Sequence, residues 1–283
     1  MTAPEPTTEP TIEPTTEPTD RSTSPLASVT RIPRPTRGLA RVPELTALFW
    51  VLKILTTGMG ETASDYLAHT IGPVIAVCLS GVALVVALAG QLSVRRYVPW
   101  LYWTTVAMVS VFGTVAADVA HVGLGVPYAV STVAFAVALA LVLGLWHRTE
   151  GTLSVHSIDT TRRELFYWAT VLTTFALGTA AGDLTAVTLG LGYLGSAVLF
   201  AVAFAVPAVA HLRLGLGAVA AFWTAYVITR PLGASVADWM GVSVARGGLG
   251  LGTGVVTLAW AAAIVVIVGL AVVTGRARAA AAD

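Results

Sequence analysis

The stretch FWVLKILTTGMGETASD, residues 49–65, decides the fold because its pattern recurs three more times along the chain. The other copies are YWTTVAMVSVFGTVAAD (102–118), YWATVLTTFALGTAAGD (167–183) and FWTAYVITRPLGASVAD (222–238). Each copy carries a tryptophan, a glycine ten residues later and an aspartate fifteen residues later; the tryptophans are Trp50, Trp103, Trp168 and Trp223. A motif repeated in register indicates a chain built from copies of one structural unit.

The composition places these units in a membrane. Hydrophobic residues make up 56% of the 283 residues, charged residues 11%, and the mean hydropathy is +0.80. A helix needs about 20 apolar residues to cross the hydrocarbon core, and its backbone groups are then bonded internally. Eight such windows lie near 45–68, 73–92, 99–121, 126–146, 164–188, 193–212, 217–240 and 250–273. We therefore predict an all-α polytopic protein with eight transmembrane helices, in four two-helix repeats near 45–92, 99–146, 164–212 and 217–273.

The chain divides into three parts. Residues 1–42 begin with a Pro/Thr/Glu-rich repeat that has little apolar surface to bury and end in a basic juxtamembrane segment, so we expect a disordered tail without a signal peptide. Residues 43–274 form the membrane domain, and residues 275–283 form a short cytoplasmic tail. The linker between the second and third repeats, near 147–163, separates two halves of four helices.

The basic residues predict the orientation in the membrane. With a cytoplasmic N-terminus, thirteen of the 16 Lys and Arg residues lie on the cytoplasmic side, one (Arg246) lies outside, and Lys53 and Arg230 lie within spans. Cytoplasmic loops are enriched in Lys and Arg. We expect a multi-pass plasma-membrane protein with both termini in the cytoplasm. The arginines before the first span are then an orientation signal, and we expect the lipid bilayer, not nucleic acid, as partner.

The repeated two-span unit resembles a known family. Four in-register copies with a marked tryptophan are similar to the bacterial four-repeat membrane family of unknown function, labelled "uncharacterized membrane-anchored protein". The resemblance covers roughly residues 43–274. It implies the four-repeat architecture and no particular activity.

A polar stripe follows each tryptophan. Positions 7, 11 and 15 after the tryptophan lie within an arc of about 80° on an α-helix. Charged side chains at membrane depth usually face a bundle interior or a water-filled cavity. We therefore expect the odd-numbered helices to line a polar track, the even-numbered helices to surround it, and the repeated glycine to admit a close neighbour. The predicted binding residues are Thr57, Glu61, Asp65, Ser110, Thr114, Asp118, Thr174, Thr179, Asp183 and Asp238, with Lys53 and Arg230 as charge partners.

The acidic cluster predicts a cation as substrate. Five carboxylates face two basic side chains within the spans, and such a cluster binds cations or protons. His69 and His121 follow Asp65 and Asp118 by four and three residues, so an α-helix would place each over its aspartate. The mixed oxygen and nitrogen donors suit a divalent transition metal. We predict a transporter of a small cation, with proton exchange as a candidate coupling and a metal site of Glu61, Asp65, His69, Asp118 and His121.

Other interpretations stay open at this point. Each aspartate could cap or bond backbone at the turn between paired helices, in a structural or assembly protein whose repeats serve helix packing. The tryptophans favour packing or interfacial anchoring over gating. Lys53 could extend to the cytoplasmic face, and Arg230, at mid-span, is expected to pair with a carboxylate. We find no nucleophile–base pair or catalytic motif, so we predict neither an enzyme nor a cofactor.

Overall fold

The computed structural model of the chain describes residues 1, 2 and 41–280, and the described residues from 41 onward belong to one compact unit. The expected disordered tail and the arginines at 31, 34 and 37 lie outside the described residues. The described part contains eight α-helices: α1 (Ala47–Ile71), α2 (Pro73–Ser93), α3 (Pro99–Asp118), α4 (Tyr128–Glu150), α5 (Thr161–Asp183), α6 (Gly192–Leu214), α7 (Ala218–Gly241) and α8 (Thr253–Ala280). All eight predicted helices are present, and α8 continues through most of the expected C-terminal tail.

Local sequence sets the helix ends. The hydroxyls of Thr46 and Thr160 accept hydrogen bonds from backbone N–H groups in the first turns of α1 and α5. Pro73 and Pro99 occupy first-turn positions, where the missing N–H has no helical partner in any case. Gly151 ends α4 in the left-handed conformation, which glycine adopts without strain. Short π-helical turns, Val119–Gly123 and Leu184–Thr188, continue α3 and α5.

Six of the helices are long and apolar enough to cross a membrane. They are α2, α3, α4, α5, α6 and α8. The remaining two, α1 and α7, carry charged side chains in their interiors: Lys53, Glu61 and Asp65 on α1, and Arg230 and Asp238 on α7. This length and composition support a membrane protein.

The odd-numbered helices form an inner ring. α1 packs on α3, α3 on α5, α5 on α7, and α7 on α1. Each even-numbered helix packs on the outside of the following odd-numbered helix: α2 on α3, α4 on α5, α6 on α7, and α8 on α1. In α3, 61% of the apolar window is buried, against 17% in α2. The division into an inner ring and an outer layer is therefore as the polar stripe predicted.

The repeated glycine brings each inner helix against the next one around the ring. A Cβ atom added at the glycine would overlap a side chain of the following inner helix in every repeat: Gly60 with Ser110, Gly113 with Phe175, Gly178 with Arg230, and Gly233 with Thr57. The contacts run in one direction and close between α7 and α1. The predicted role of this glycine in close approach is confirmed.

The aromatic pairs make the same circuit. The aromatic residue before each tryptophan packs against the tryptophan of the next repeat, with ring centroids 5.8 Å apart for Phe49–Trp103, 5.6 Å for Tyr102–Trp168, 6.2 Å for Tyr167–Trp223 and 5.7 Å for Phe222–Trp50. Trp103, Trp168 and Trp223 are buried. The tryptophans are therefore packing residues in a pseudo-fourfold ring.

The linker between the second and third repeats packs across this aromatic end of the bundle. Val155 and Ile158 are buried, and the carbonyl of Leu153 accepts a hydrogen bond of 2.9 Å from Nε1 of Trp223. The two halves of the chain are not separate bodies, because α5 lies between α3 and α7 in the ring.

A buried ion pair stabilises the same end. Glu164 of α5 accepts hydrogen bonds from the guanidinium of Arg41, at 2.6 Å, and from the amide of Gln91 on α2, at 2.9 Å. Arg41 was counted from the sequence as part of the basic juxtamembrane segment. In the fold it is a buried partner of Glu164.

Candidate functional site

A cavity of about 490 Å³ lies at the end of the bundle opposite the linker, where α1 joins α2. Four aspartates line it, one from each repeat: Asp65, Asp118, Asp183 and Asp238. They meet because each lies fifteen residues after its tryptophan on an inner helix of the same orientation. We call this space the aspartate cavity. Its other polar lining residues are Glu61, His69, Tyr128, Tyr193 and Arg246.

The aspartates face the cavity without strong partners. Asp238 is only 8% exposed, yet no hydrogen bond to its carboxylate is present among the described residues. Asp118 accepts one long hydrogen bond, 3.4 Å, from the hydroxyl of Ser64. Within the described part of the chain, none of the four carboxylates bonds a backbone N–H group. The interpretation of these residues as turn or cap residues is therefore not supported.

Arg230 closes the inner end of this cavity. Its side chain is fully buried at the centre of the ring. Nη2 lies 2.6 Å from Oε2 of Glu61 and 2.7 Å from Oγ1 of Thr179, and it also bonds Oγ1 of Thr114. Nη1 donates to the carbonyl of Thr57 at 3.2 Å. The expected pairing of Arg230 with a carboxylate is present, and one guanidinium joins all four inner helices.

Lys53 was predicted either to pair with a carboxylate or to extend to the cytoplasmic face, and the structure shows neither arrangement. The side chain is 1% exposed, so it does not extend to an aqueous face, and Nζ has no hydrogen-bond partner among the residues that the structure describes. Nζ lies 4.2 Å from the ring centroid of Phe175 and 4.3 Å from that of Tyr226. The prediction of Lys53 as a partner of a carboxylate is wrong. Its ammonium lies against two aromatic rings instead, and the carboxylate of Glu61 pairs with Arg230.

Two aromatic residues were missed by reasoning from the polar pattern. Phe175 occupies the position seven after Trp168, where the other repeats carry Thr57, Ser110 and Arg230, and it contacts both buried cations, with Arg230 5.2 Å from its centroid. Tyr226 is fully buried beside Lys53. The sequence offered a partial signal for Phe175, an aromatic residue at a stripe position, and none for the approach of either ring to Lys53.

The predicted hydroxyl residues divide into two groups. Thr57, Thr114 and Thr179 surround Arg230, and Ser110 donates to the carbonyl of Thr57 at 3.4 Å. Thr174 donates instead to Val171 in its own helix, at 2.6 Å. Its hydroxyl therefore adds nothing to the contacts around Arg230.

The two histidines lie in different surroundings. His69 lines the aspartate cavity, and its Nδ1 lies 2.7 Å from the backbone carbonyl of Asp65. His121 is buried, with Nδ1 3.1 Å from Oγ of Ser131 on α4, and it is absent from the cavity lining. It belongs to the π-helical turn after Asp118, which has more residues per turn and so rotates a side chain three residues on away from the position that an α-helix would give.

The five residues predicted to bind a metal are therefore not assembled as one group. Glu61 pairs with Arg230, and His121 faces α4. Among the described residues, no three His, Cys, Asp or Glu side chains lie close enough together to hold a metal ion. The donors that do share a space are the four aspartates, Glu61 and His69.

These features define a class of protein: an all-helical protein, with helices long and apolar enough to cross a membrane, in which four two-helix repeats surround a polar cavity. The chain belongs to the family described as Repeat of Unknown Function (DUF347), which matches residues 48–97, 101–152, 166–215 and 221–277. The four matches coincide with the four repeats, so the resemblance noted from the sequence is confirmed. Neither a curated protein nor a solved structure matches the chain.

Proposed function

We propose that this protein transports a small cation across the membrane and that the aspartate cavity is its binding site. One observation carries the proposal: each repeat supplies an aspartate to the same cavity, and these carboxylates have almost no partners within the protein. Arg230 offsets Glu61, so the four aspartates face one cation in the lining, Arg246. Buried carboxylates without counter-charges favour a bound cation or a proton.

The two ends of the bundle suit alternating access. The cavity lies at one end, and Arg230, Lys53 and the aromatic ring fill the bundle between the cavity and the linker. A cation bound by the aspartates would reach the other side only after the inner helices rearrange. Release of protons from the same carboxylates on binding would couple cation movement to proton exchange.

A divalent metal remains our leading substrate. Carboxylate oxygens dominate the cavity, and His69 is its one imidazole among the described residues. This donor set favours oxygen-preferring ions such as Mn²⁺ over softer ones. Coordination by three or more of these side chains requires them to move together on binding.

We further propose that all eight helices span the plasma membrane with both termini in the cytoplasm, so that the cavity opens outward. Single cysteines test the orientation in a Cys78→Ser background, at the exposed linker position Asp159→Cys and the exposed position Val244→Cys. An impermeant thiol reagent added to intact cells should label the second variant and not the first. The reverse pattern would overturn the orientation.

Flux measurements test the function. The protein is reconstituted in vesicles, and uptake of Mn²⁺, Zn²⁺, Co²⁺ and Ni²⁺ is compared among wild type, Asp65→Asn/Asp238→Asn and the surface control Asp159→Asn. The amide keeps the shape of the side chain and removes the anionic ligand, so the double variant should lose flux while the control keeps it. Equal flux in wild type and the double variant would contradict the proposal.

The alternative is a structural or assembly role. The circuits of glycine and aromatic contacts favour it, because they show that much of each repeat serves packing. In that case the wild-type protein would carry none of these ions, and the aspartate variants would differ from it only in stability.

A further inference from the structure

We propose that the oxygen atoms around the Arg230 guanidinium form a second cation-binding site, deeper than the aspartate cavity, which Arg230 occupies while no transported cation is bound. We call it the oxygen cage: Oε2 of Glu61, the carbonyl of Thr57, and the hydroxyls of Thr114 and Thr179. This inference rests on the proposed function, since it places the cage further along the same path.

The cage has the chemistry of a metal-ion site. It joins one carboxylate, one backbone carbonyl and two hydroxyls, drawn from α1, α3 and α5. Such neutral and anionic oxygens are the ligands of hard cations such as Ca²⁺ and Mn²⁺. All four residues are buried, so water competes little for these oxygens.

The arrangement fits a point charge better than a guanidinium. Nη2 of Arg230 carries two N–H donors but lies beside three cage oxygens, those of Glu61, Thr114 and Thr179. Nε of the same side chain is buried and has no hydrogen-bond partner in the described part of the chain. A site shaped for arginine would spread acceptors over its planar fork. Here three of the four cage oxygens converge on one position, that of Nη2, as they do around an ion, and only the Thr57 carbonyl bonds Nη1.

Glu61 connects the cage to the aspartate cavity, because it lines the cavity and binds Arg230. A cation that enters the cavity therefore meets the carboxylate that holds Arg230. Lys53 and Arg230 already lie against the ring of Phe175, and among the described residues Glu61 is the one carboxylate that pairs with either of them. A third positive charge beside them would be strongly repelled, so binding of a cation in the cage requires Arg230 to leave.

The local structure of α7 allows such a movement. Pro231, directly after Arg230, lies inside the helix and has no N–H to bond the preceding turn. Gly178 faces the Cβ and Cγ atoms of Arg230, where any larger residue would overlap them. The arginine is therefore attached at a weakened point of its helix, against a neighbour without a side chain.

Removal of the arginine should convert the cage into a measurable cation site. We compare thermal unfolding of the purified full chain in NaCl, CaCl₂ and MnCl₂ with unfolding in choline chloride at equal ionic strength. The variants are Arg230→Met, Arg230→Gln, the charge-conserving Arg230→Lys, and Arg230→Met/Glu61→Gln. The last keeps the aspartate cavity but lacks the carboxylate of the cage, so it reports binding at the aspartates alone.

We expect at least one of the three salts to raise the Tm of Arg230→Met by about 5–10 °C more than that of wild type, with the ion about 100-fold above its Kd. Arg230→Lys and the double variant should show only the wild-type shift. If Arg230→Met folds only with a cation present, the proposal is supported. Arg230→Gln, which keeps amide donors, decides the question if neither methionine variant folds.

Two results would overturn the inference: extra shifts in neither Arg230→Met nor Arg230→Gln, or the same extra shift in the double variant. Failure of the proposed function looks different. In that case wild-type vesicles would carry no ion, whatever the Arg230 variants bind in detergent.

Discussion

Arg230 and Glu61 are 169 residues apart in the chain and meet 2.6 Å apart at the centre of the bundle, both almost completely removed from solvent. The pair joins the last repeat to the first and closes the ring of inner helices. A buried ion pair adds little net stability over apolar side chains, but loss of one partner leaves an uncompensated charge. Loss of either residue should therefore affect stability, and in the proposed oxygen cage the same pair controls cation binding.

Substitution of one partner of this pair should lower the free energy of unfolding more than substitution of both partners. In choline chloride, Glu61→Gln and Arg230→Met should each lower the free energy of unfolding by about 3–5 kcal/mol, because each leaves the partner buried and unpaired. The double variant should lose less than either single variant, and therefore less than the sum of the two. A double-mutant cycle of unfolding in detergent measures this difference, and additive losses would show that the two side chains are not coupled.

The ring contact at Gly233 should not tolerate a methyl group. A Cβ atom there would overlap the side chain of Thr57 and lie 2.8 Å from the carbonyl of Ile54, so Gly233→Ala has to separate α7 from α1. We expect a lower Tm. Gly144→Ala is the matched control, since its Cβ atom meets nothing within 4 Å, and alanine favours a helix by about 1 kcal/mol. Equal effects of the two substitutions would contradict the close packing of α1 and α7.

The two histidines should differ in metal binding. His69→Ala should weaken binding of Zn²⁺, Co²⁺ and Ni²⁺ more than that of Mn²⁺, because it removes the imidazole from the aspartate cavity. His121→Ala should leave the metal preference unchanged, because that ring bonds Ser131 instead. Competition between metals in binding to the purified protein checks this. A shift in preference with His121→Ala would place that ring in the site.

The buried and the surface ion pairs at the linker end should contribute differently to the stability of the protein. Glu164→Gln should destabilise the protein by about 3–5 kcal/mol, because Arg41 stays buried without its counter-charge. Glu150→Gln, which loses the pairs with Arg162 and Arg163 at the surface, should have a much smaller effect. Unfolding of the two variants under one condition gives the comparison, and a larger loss for Glu150→Gln would be contrary to it.

Lys53→Met should raise stability. The buried ammonium has no hydrogen bond, and its contacts with the faces of Phe175 and Tyr226 are worth about 2 kcal/mol, less than the cost of several kcal/mol for burying the charge. Methionine has a similar length and packs well against aromatic rings. A higher Tm together with lost ion flux would assign Lys53 to function; a lower Tm would show that the cation–π contacts outweigh its desolvation.

The amino-acid pattern alone was enough to predict the helices and the face of each inner helix that points into the bundle. Hydropathy and the repeated tryptophan, glycine and aspartate predicted eight helices, four repeats and an acidic stripe, because these features depend on spacing along a single helix. Asp65, Asp118, Asp183 and Asp238 therefore line one cavity, as the pattern indicated. The close approach of a neighbour at each repeated glycine also followed from the pattern, whereas the closed circuit of these contacts is seen only in the fold.

Which charged groups meet depends on the packing of the helices against one another. Helical periodicity indicates that Lys53 and Arg230 face inward, but it gives neither their depth nor the side chains that they meet. It therefore did not show that Glu61 pairs with Arg230. Nor did it show that Lys53 packs against the rings of Phe175 and Tyr226. The stacking of His121 over Asp118 assumed an α-helix at a point where the chain forms a π-helical turn. Contacts between helices depend on how four separate segments pack at once, and that information is not contained in the pattern of any one of them.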